Sequence, residues 1–175
     1  MALETLPFES EAAAVQFVRQ RLEPHCSSFV LEPVINGRWR PDIGLRLAGL
    51  DFPFLIEVKR FTNHRQLGNL TDGVAQAAFY ASAIQRPAFL APFAGGSMND
   101  LHDDRRVPGA MMLAAQSSVG ALMFNKFRDD EFAFALGGQI VVRVSSGTIH
   151  THTDSLHLLT LKQRAGSQTW RREAS

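Results

Sequence analysis

Residues 40–61 read RPDIGLRLAGLDFPFLIEVKRF and hold two apolar stretches joined by a short turn. In the second stretch, Glu57 and Lys59 alternate with apolar residues, and a repeat of two residues is that of a β-strand. The first stretch alternates in the same way. We therefore predict strands over 39–47 and 52–60, with Glu57 and Lys59 side by side on one face of the second strand.

The segments on either side of this hairpin extend the predicted order of elements. Asn36-Gly37 is a strong hairpin-turn signal and separates the hairpin from another apolar stretch. Helical periodicity with capping residues appears once before the strands and once after them. The predicted order is a helix over 10–22, strands over 29–36, 39–47 and 52–60, a helix from Asn69 that ends before Pro87, and a strand over 88–93.

Composition limits the class of protein. The chain has 175 residues, of which 45% are hydrophobic and 20% charged, which suits one compact domain. We expect that domain over 1–163, with a core over 10–93 and an extension over 107–163, and a polar, disordered tail over 164–175. A single cysteine favours a reducing compartment, so the cytoplasm is the expected location. The chain has no long apolar run, so no membrane partner is expected.

The position of Asp42 depends on how the two hairpin strands are aligned. In one register Asp42 lies opposite Glu57 or Lys59, and a shift of one residue moves it to the other face. In the first register, the carboxylates of Asp42 and Glu57 and the ammonium of Lys59 lie close together. Carboxylates that lie so close repel each other, and a divalent cation such as Mg²⁺ between them relieves that repulsion.

These residues resemble the signature of a known family. Pro41-Asp42 followed by Glu57-Val58-Lys59 resembles the PD-(D/E)xK nuclease superfamily, and Gln76 with Tyr80 resembles the Q-x3-Y motif of its RecB-like exonuclease branch. The resemblance implies an α/β fold class: a restriction-endonuclease-like core of helix, three-stranded antiparallel meander, helix and strand. Outside the resemblance, residues 119–127 and 131–144 have the pattern of strands with a Gly137-Gly138 hairpin, so we expect a C-terminal β-rich extension of that core.

The resemblance also implies roles for individual residues. Asp42 and Glu57 become metal ligands, and the carbonyl of Val58 becomes a further ligand. Lys59 becomes the catalytic lysine, acting with Mg²⁺ or with Mn²⁺ as a substitute. The remaining roles belong to residues on the two helices: Glu11 as an additional acidic metal ligand, and Gln76 and Tyr80 as contacts to the site or to the nucleic-acid backbone.

The net charge of +1 gives no general attraction for nucleic acid, so binding depends on a local basic cluster. Such a cluster lies around the signature, with Trp39 and Phe61 placed to stack on bases. Its predicted nucleic-acid contacts are Arg38, Arg40, Arg60 and Arg65.

The expected function is therefore Mg²⁺-dependent hydrolysis of phosphodiester bonds, with DNA as the expected substrate. The alternative is a non-catalytic nucleic-acid-binding or assembly protein on the same fold. A homodimer also stays open, because cutting both strands of a duplex needs two sites related by a two-fold axis.

Overall fold

The computed structural model of the chain describes residues 9–61, 67–94, 113–114, 116–125 and 128–152. These residues form two α-helices and eight β-strands, with a 3₁₀ turn (Glu23–His25) after the first helix. The helices are α1 (Glu11–Leu22) and α2 (Leu67–Ile84). The strands are β1 (Cys26–Leu31), β2 (Ile43–Leu47), β3 (Phe54–Phe61), β4 (Ala88–Ala94), β5 (Val119–Phe124), β6 (Phe132–Leu136), β7 (Gln139–Ser145) and β8 (Thr148–Thr151).

Helix α1 begins where the sequence predicts. The Ser10 side chain accepts a hydrogen bond from the backbone N–H of Ala13, which satisfies one of the free donors at the helix start. Ala14, Val18 and Leu22 recur every four residues and are fully buried. This stripe holds α1 against the sheet. Neither helix in the described part of the chain combines the length and apolar character that crossing a membrane requires.

Strand β1 lies earlier in the chain than the predicted strand over 29–36. It ends at Leu31 because Glu32 adopts a left-handed backbone conformation (φ 46°) and Pro33 has no N–H to donate to a neighbouring strand. Asn36 and Gly37 do form a tight turn, but it closes only an isolated bridge between Ile35 and Trp39. The Asn36-Gly37 turn therefore lies inside the β1–β2 connection.

All eight strands belong to one sheet, and their spatial order follows the sequence from β1 to β8. Strand β4 is parallel to both β3 and β5, and the other neighbouring strands are antiparallel. Helix α2 makes the crossover between β3 and β4. The two helices lie on opposite faces, because Ile56 of β3 packs in the same apolar cluster as α1 whereas Leu55 packs with α2.

The sheet is strongly curled. The Phe54 and Phe134 ring centroids are 4.5 Å apart and those of Phe89 and Phe134 are 4.9 Å apart. Phe54 lies on β3 and Phe134 on β6, three strands away, which in a flat sheet means a separation of roughly 14 Å. Their contact requires curvature, and α1 packs on the concave side, where the Phe17 ring lies 5.8 Å from that of Phe93.

The predicted fold class is wrong. Instead of an α/β restriction-endonuclease-like core with an appended β-rich extension, the described chain is a mixed eight-stranded sheet with only two α-helices. The C-terminal strands are not an extension, because β5 pairs with β4 and Phe134 packs against Phe54 in the main core. Sequence periodicity identified strands in both halves but not their long-range pairing. The predicted domain limits stay predictions, and residues 153–175 lie outside the described part.

We expect Phe134→Ala to destabilise the whole described sheet by about 3–5 kcal/mol, because it removes a fully buried ring that contacts both β3 and β4. Denaturant unfolding of a Trp170→Phe background, in which Trp39 is the remaining tryptophan, reports on the N-terminal half. Met123→Ala, on an exposed position of β5, is the control. An unchanged Trp39 transition in Phe134→Ala would contradict a shared core.

Candidate active site

Asp42 lies at the start of β2, where the β2–β3 register decides its neighbours. Ile43 is the partner of Ile56, so the next pair in the same register is Asp42 with Glu57. The backbone N–H of Val58 donates a 2.6 Å hydrogen bond to Oδ2 of Asp42. The side chain of Asp42 thus continues the pairing between the two strands beyond their backbone ladder. This register places Asp42 and Glu57 together.

Glu57 is the centre of the site. Its side chain is only 3% exposed, and each of its two carboxylate oxygens has an ion-pair or hydrogen-bond partner. Nζ of Lys59 lies 2.8 Å from Oε1, and the Tyr80 hydroxyl donates to Oε2 at 3.0 Å. The same hydroxyl lies 3.2 Å from the backbone carbonyl oxygen of Arg40, so its single proton is shared between two acceptors. Strand β3 and helix α2 together satisfy this buried charge.

Lys59 connects Glu57 to helix α1. Its Nζ lies 3.8 Å from Oε1 of Glu11, which is the first residue of α1 and is exposed. Glu11, Asp42 and Glu57 carry three negative charges against the single positive charge of Lys59. An acidic excess in a half-buried position favours the approach of an additional cation.

The pKa values in the site are determined by burial and by the excess of acidic side chains around Lys59. Burial, and next the charge of Glu57, raise the pKa of the Asp42 carboxyl to about 6, against the lowering effects of the Val58 N–H and Lys59. Burial lowers the pKa of Lys59, but its hydrogen bond to Glu57 and the surrounding carboxylates outweigh burial and raise it. Burial and Glu57 also raise the pKa of Tyr80. Lys59 therefore stays charged and Tyr80 stays protonated at neutral pH.

The donor set suits one hard divalent cation. Within the described residues there is no group of three or more His, Cys, Asp or Glu side chains arranged to hold a metal. Mg²⁺ does not need one, because it is usually bound through one or two carboxylates and keeps several waters. Asp42 and Glu57 offer those two carboxylates, and a cation between them would offset the burial and the repulsion from Glu57 that together raise the pKa of Asp42.

The structure brings together most of the predicted site residues. Asp42, Glu57, Lys59 and Tyr80 converge, and Glu11 reaches Lys59. The backbone N–H of Val58 donates to Asp42, and the role of the Val58 carbonyl as a ligand stays a prediction.

The remaining predicted residues differ in their exposure to solvent. Gln76 is exposed on α2, one turn before Tyr80. Arg38 and Arg40 are exposed and Arg60 is half-buried. Arg65 lies outside the described residues.

Gly73 is a residue of this site that the sequence analysis missed. It is buried on α2, and a Cβ added there would lie 2.4 Å from Cγ of Lys59 and 2.9 Å from Cδ1 of Leu90. The stem of Lys59 therefore crosses the helix where there is no side chain. A glycine inside a helix costs about 1 kcal/mol relative to alanine. The presence of Gly73 inside a predicted helix was therefore the signal in the sequence for a close contact at this position.

In the metal-free protein we expect Asp42→Asn to raise the melting temperature more at pH 7.5 than at pH 5. The folded-state pKa of about 6 lies above the ordinary value of 3.8. The protonated Asp42 carboxyl therefore contributes its full share of the stability of the folded protein below pH 3.8. That contribution is lost as the pH rises through about 6. Asparagine can still accept from Val58 but carries no charge.

Scanning calorimetry at the two pH values measures this difference. Asp51→Asn is the control, because it removes a charge from a fully exposed side chain. Equal shifts at both pH values for Asp42→Asn would contradict the raised pKa of Asp42 that burial and the charge of Glu57 produce.

Comparisons with known proteins leave the family of this chain open. No model of a known protein family matches the sequence, and no curated protein matches it. Among solved structures, the chain is similar to Pyrococcus furiosus SfsA in complex with Ca²⁺, with a TM-score of 0.34 and 12% sequence identity. That match covers 72% of this chain and 62% of the SfsA chain, so the chain spans less than two thirds of that protein's length.

Proposed function

We propose that this chain binds nucleic acid and hydrolyses its phosphodiester bonds with the help of Mg²⁺ at the cluster of Asp42, Glu57 and Lys59. The observation that carries the proposal is the convergence of two carboxylates and one ammonium, with Nζ of Lys59 2.8 Å from Glu57. The resemblance of these residues to the PD-(D/E)xK signature, and of Gln76 with Tyr80 to the Q-x3-Y motif, supports the same chemistry. DNA is the proposed substrate.

Asp42 and Glu57 would hold the cation, with the Val58 carbonyl and Glu11 as further candidate ligands. A bound Mg²⁺ supplies a Lewis acid that polarises the phosphate and favours deprotonation of water. Every other contribution comes from the protein. The Val58 N–H orients Asp42, and the Tyr80 hydroxyl orients Glu57.

Lys59 is the residue proposed to act on the reacting phosphate. Its ammonium lies at the same carboxylates that would hold the cation, so a phosphate bound there meets a positive charge. Negative charge on the phosphoryl oxygens is stabilised by a fixed cation in a partly buried setting more than in water. Because the pKa of Lys59 is raised by its acidic neighbours, this charge persists at neutral pH.

The approach to the cluster carries positive charge. Arg38 and Arg40 are exposed in the segment that leads into Asp42. Cations at these positions attract the phosphate backbone over distances near 10 Å, and salt screens that attraction. Binding is therefore expected to weaken as the salt concentration rises.

A second candidate function is nucleic-acid binding without cleavage. Both oxygens of Glu57 are already occupied by Lys59 and Tyr80, so the network is complete without a metal. In that case the cluster stabilises the fold and the arginines bind the backbone. The cleavage experiments below separate the two candidates.

We expect Lys59→Met to lower the rate of Mg²⁺-dependent cleavage by at least ~10²-fold, the scale for removing one preorganised charged group. Methionine retains much of the apolar stem that packs against α2 but leaves Oε1 of the buried Glu57 without its ion pair, so the rate is measured at a temperature where circular dichroism shows the variant folded. Oligonucleotide affinity should change little, because one charge among many phosphate contacts is a small part of binding. Linear, circular and single-stranded DNA, and RNA, are assayed on gels with and without Mg²⁺.

Arg19→Met is the matched control, since it removes a positive charge from an exposed pair with Glu23 on α1. Wild-type cleavage by purified Lys59→Met would remove the lysine from the mechanism. Binding of DNA by the wild-type protein with no cleavage of any substrate would favour the second candidate.

We expect Gly73→Ala to slow cleavage by ~10²-fold and to lower the melting temperature, because the added methyl group also meets Cδ1 of the fully buried Leu90. The added methyl group displaces the Lys59 stem, and a displacement of about 1 Å at a reacting group can cost that factor. Alanine favours the helix by about 1 kcal/mol, which offsets only part of the cost of the contact with Leu90. Asp72→Ala, at the preceding exposed position, is the control. Full activity in a folded Gly73→Ala protein would contradict the positioning role.

A further inference from the structure

We propose that Phe79 and Trp39 form a stacking platform for an unpaired nucleobase and that the chain therefore prefers single-stranded nucleic acid. This inference rests on the proposed function, because it names the form of nucleic acid that the same site receives. We call Phe79 and Trp39 the aromatic platform.

The aromatic platform is built from two parts of the chain that are far apart in sequence. Trp39 follows the Asn36-Gly37 turn, and Phe79 lies on α2. Their rings are nearly parallel, with centroids 5.2 Å apart and an angle of 9° between the planes. A hydrogen bond from the Asn36 side chain to the carbonyl of Ala83 attaches the turn to the helix.

The large apolar ring of Phe79 is exposed to solvent. Its side chain is 54% exposed although it stacks on Trp39, which is half-buried. An exposed aromatic ring supported by a second, parallel ring offers a flat surface with little conformational entropy to lose. A nucleobase is a flat π-system, and every base has a face that can stack in this way.

Charge around the aromatic platform favours nucleic acid over an apolar protein surface. The Arg38 guanidinium carbon lies 4.8 Å from the Trp39 ring centroid, and Arg40 is exposed one residue beyond Trp39. A base on the platform would therefore have cations beside it for its phosphates. Aromatic rings alternating with arginines are the pattern of single-strand binding surfaces.

The aromatic platform is physically connected to the proposed active site. The Trp39 and Tyr80 rings have centroids 6.5 Å apart in an edge-to-face arrangement. Tyr80 in turn donates to Glu57 and lies next to the carbonyl of Arg40. A strand whose base stacks on Phe79 therefore has its phosphates close to the carboxylate cluster.

We infer an unpaired base because stacking on Phe79 requires a base whose face is accessible. Bases inside a duplex are covered on both faces by their neighbours, and unstacking one costs a few kcal/mol. A single strand avoids that cost. Stacking on Phe79 thus selects single-stranded regions, ends or loops over continuous duplex.

The test measures affinity by fluorescence anisotropy with Ca²⁺ in place of Mg²⁺, since the same oxygen ligands accept both ions. The probes are a dT12 oligonucleotide, the same strand with abasic sites, and a duplex. We expect Phe79→Ala to weaken dT12 binding by about 5- to 150-fold, the range for losing one stacked base. Ile140→Ala, an exposed apolar position on β7, should bind dT12 as the wild type does.

The abasic strand and the duplex should bind equally well to Phe79→Ala and to the wild-type protein. In a Trp170→Phe background, dT12 should also quench the fluorescence of Trp39. Unchanged dT12 affinity in Phe79→Ala would overturn the aromatic platform and leave the proposed function standing. Failure of the wild type to bind any oligonucleotide would overturn both. A dimer of the wild type that Phe79→Ala abolishes would assign this surface to self-association instead.

Discussion

Glu57 is a carboxylate removed almost completely from water, and the site depends on how that charge is satisfied. A buried ion without partners costs several kcal/mol, so Lys59 and Tyr80 are required at its two oxygens. Lys59 comes from the same strand and Tyr80 from α2. Satisfying Glu57 therefore fixes the position of the helix on the sheet as well as the geometry of the cluster.

The same constraint explains the electrostatic state of the site. The protein neutralises Glu57 but leaves Asp42 beside it, with a raised pKa and a hydrogen bond from only one backbone N–H within the described contacts. A fold optimised for stability alone would have replaced one of these acids. The retention of both acids, at the start of β2 and within β3, supports the proposed cation site.

The curled sheet provides the rigid support for this arrangement. Phe54, Phe89 and Phe134 interlock on the concave side, while β3 presents Glu57 and Lys59 on the opposite side, toward α2. Side chains on regular elements with a packed core behind them hold their geometry better than side chains on loops. The cluster is therefore preorganised before any ligand binds.

Local patterns in the sequence predicted the parts of the site that lie on single elements. Alternation along one strand placed Glu57 beside Lys59, and helical spacing predicted that Tyr80 lies on a helix. The register that joins Asp42 to Glu57 was left open, because a shift of one residue is equally compatible with the turn. Contacts between distant segments were missed, including Gly73 with Lys59 and Phe79 with Trp39.

The fold class was wrong for a related reason. Strand periodicity shows that a strand exists but not which strand it pairs with, so the C-terminal strands were interpreted as an extension. The C-terminal strands belong to the main core because Phe134 contacts Phe54 across the curled sheet. No local pattern in the sequence encodes that contact. The correction concerns the architecture, whereas the cluster at Asp42 and Glu57 follows from the β2–β3 pair alone.

If the proposed function is correct, Asp42 and Glu57 together hold a divalent cation beside Lys59. Crystals grown at pH 7.5 and soaked with Mn²⁺ test it most directly, because manganese gives an anomalous signal that locates the ion without interpretation of the surrounding density. We expect an anomalous peak bonded to one oxygen of Asp42 and one oxygen of Glu57. Full occupancy of Mn²⁺ elsewhere on the chain, with Glu57 still bound to Lys59 and Tyr80 and no peak at Asp42, would contradict it.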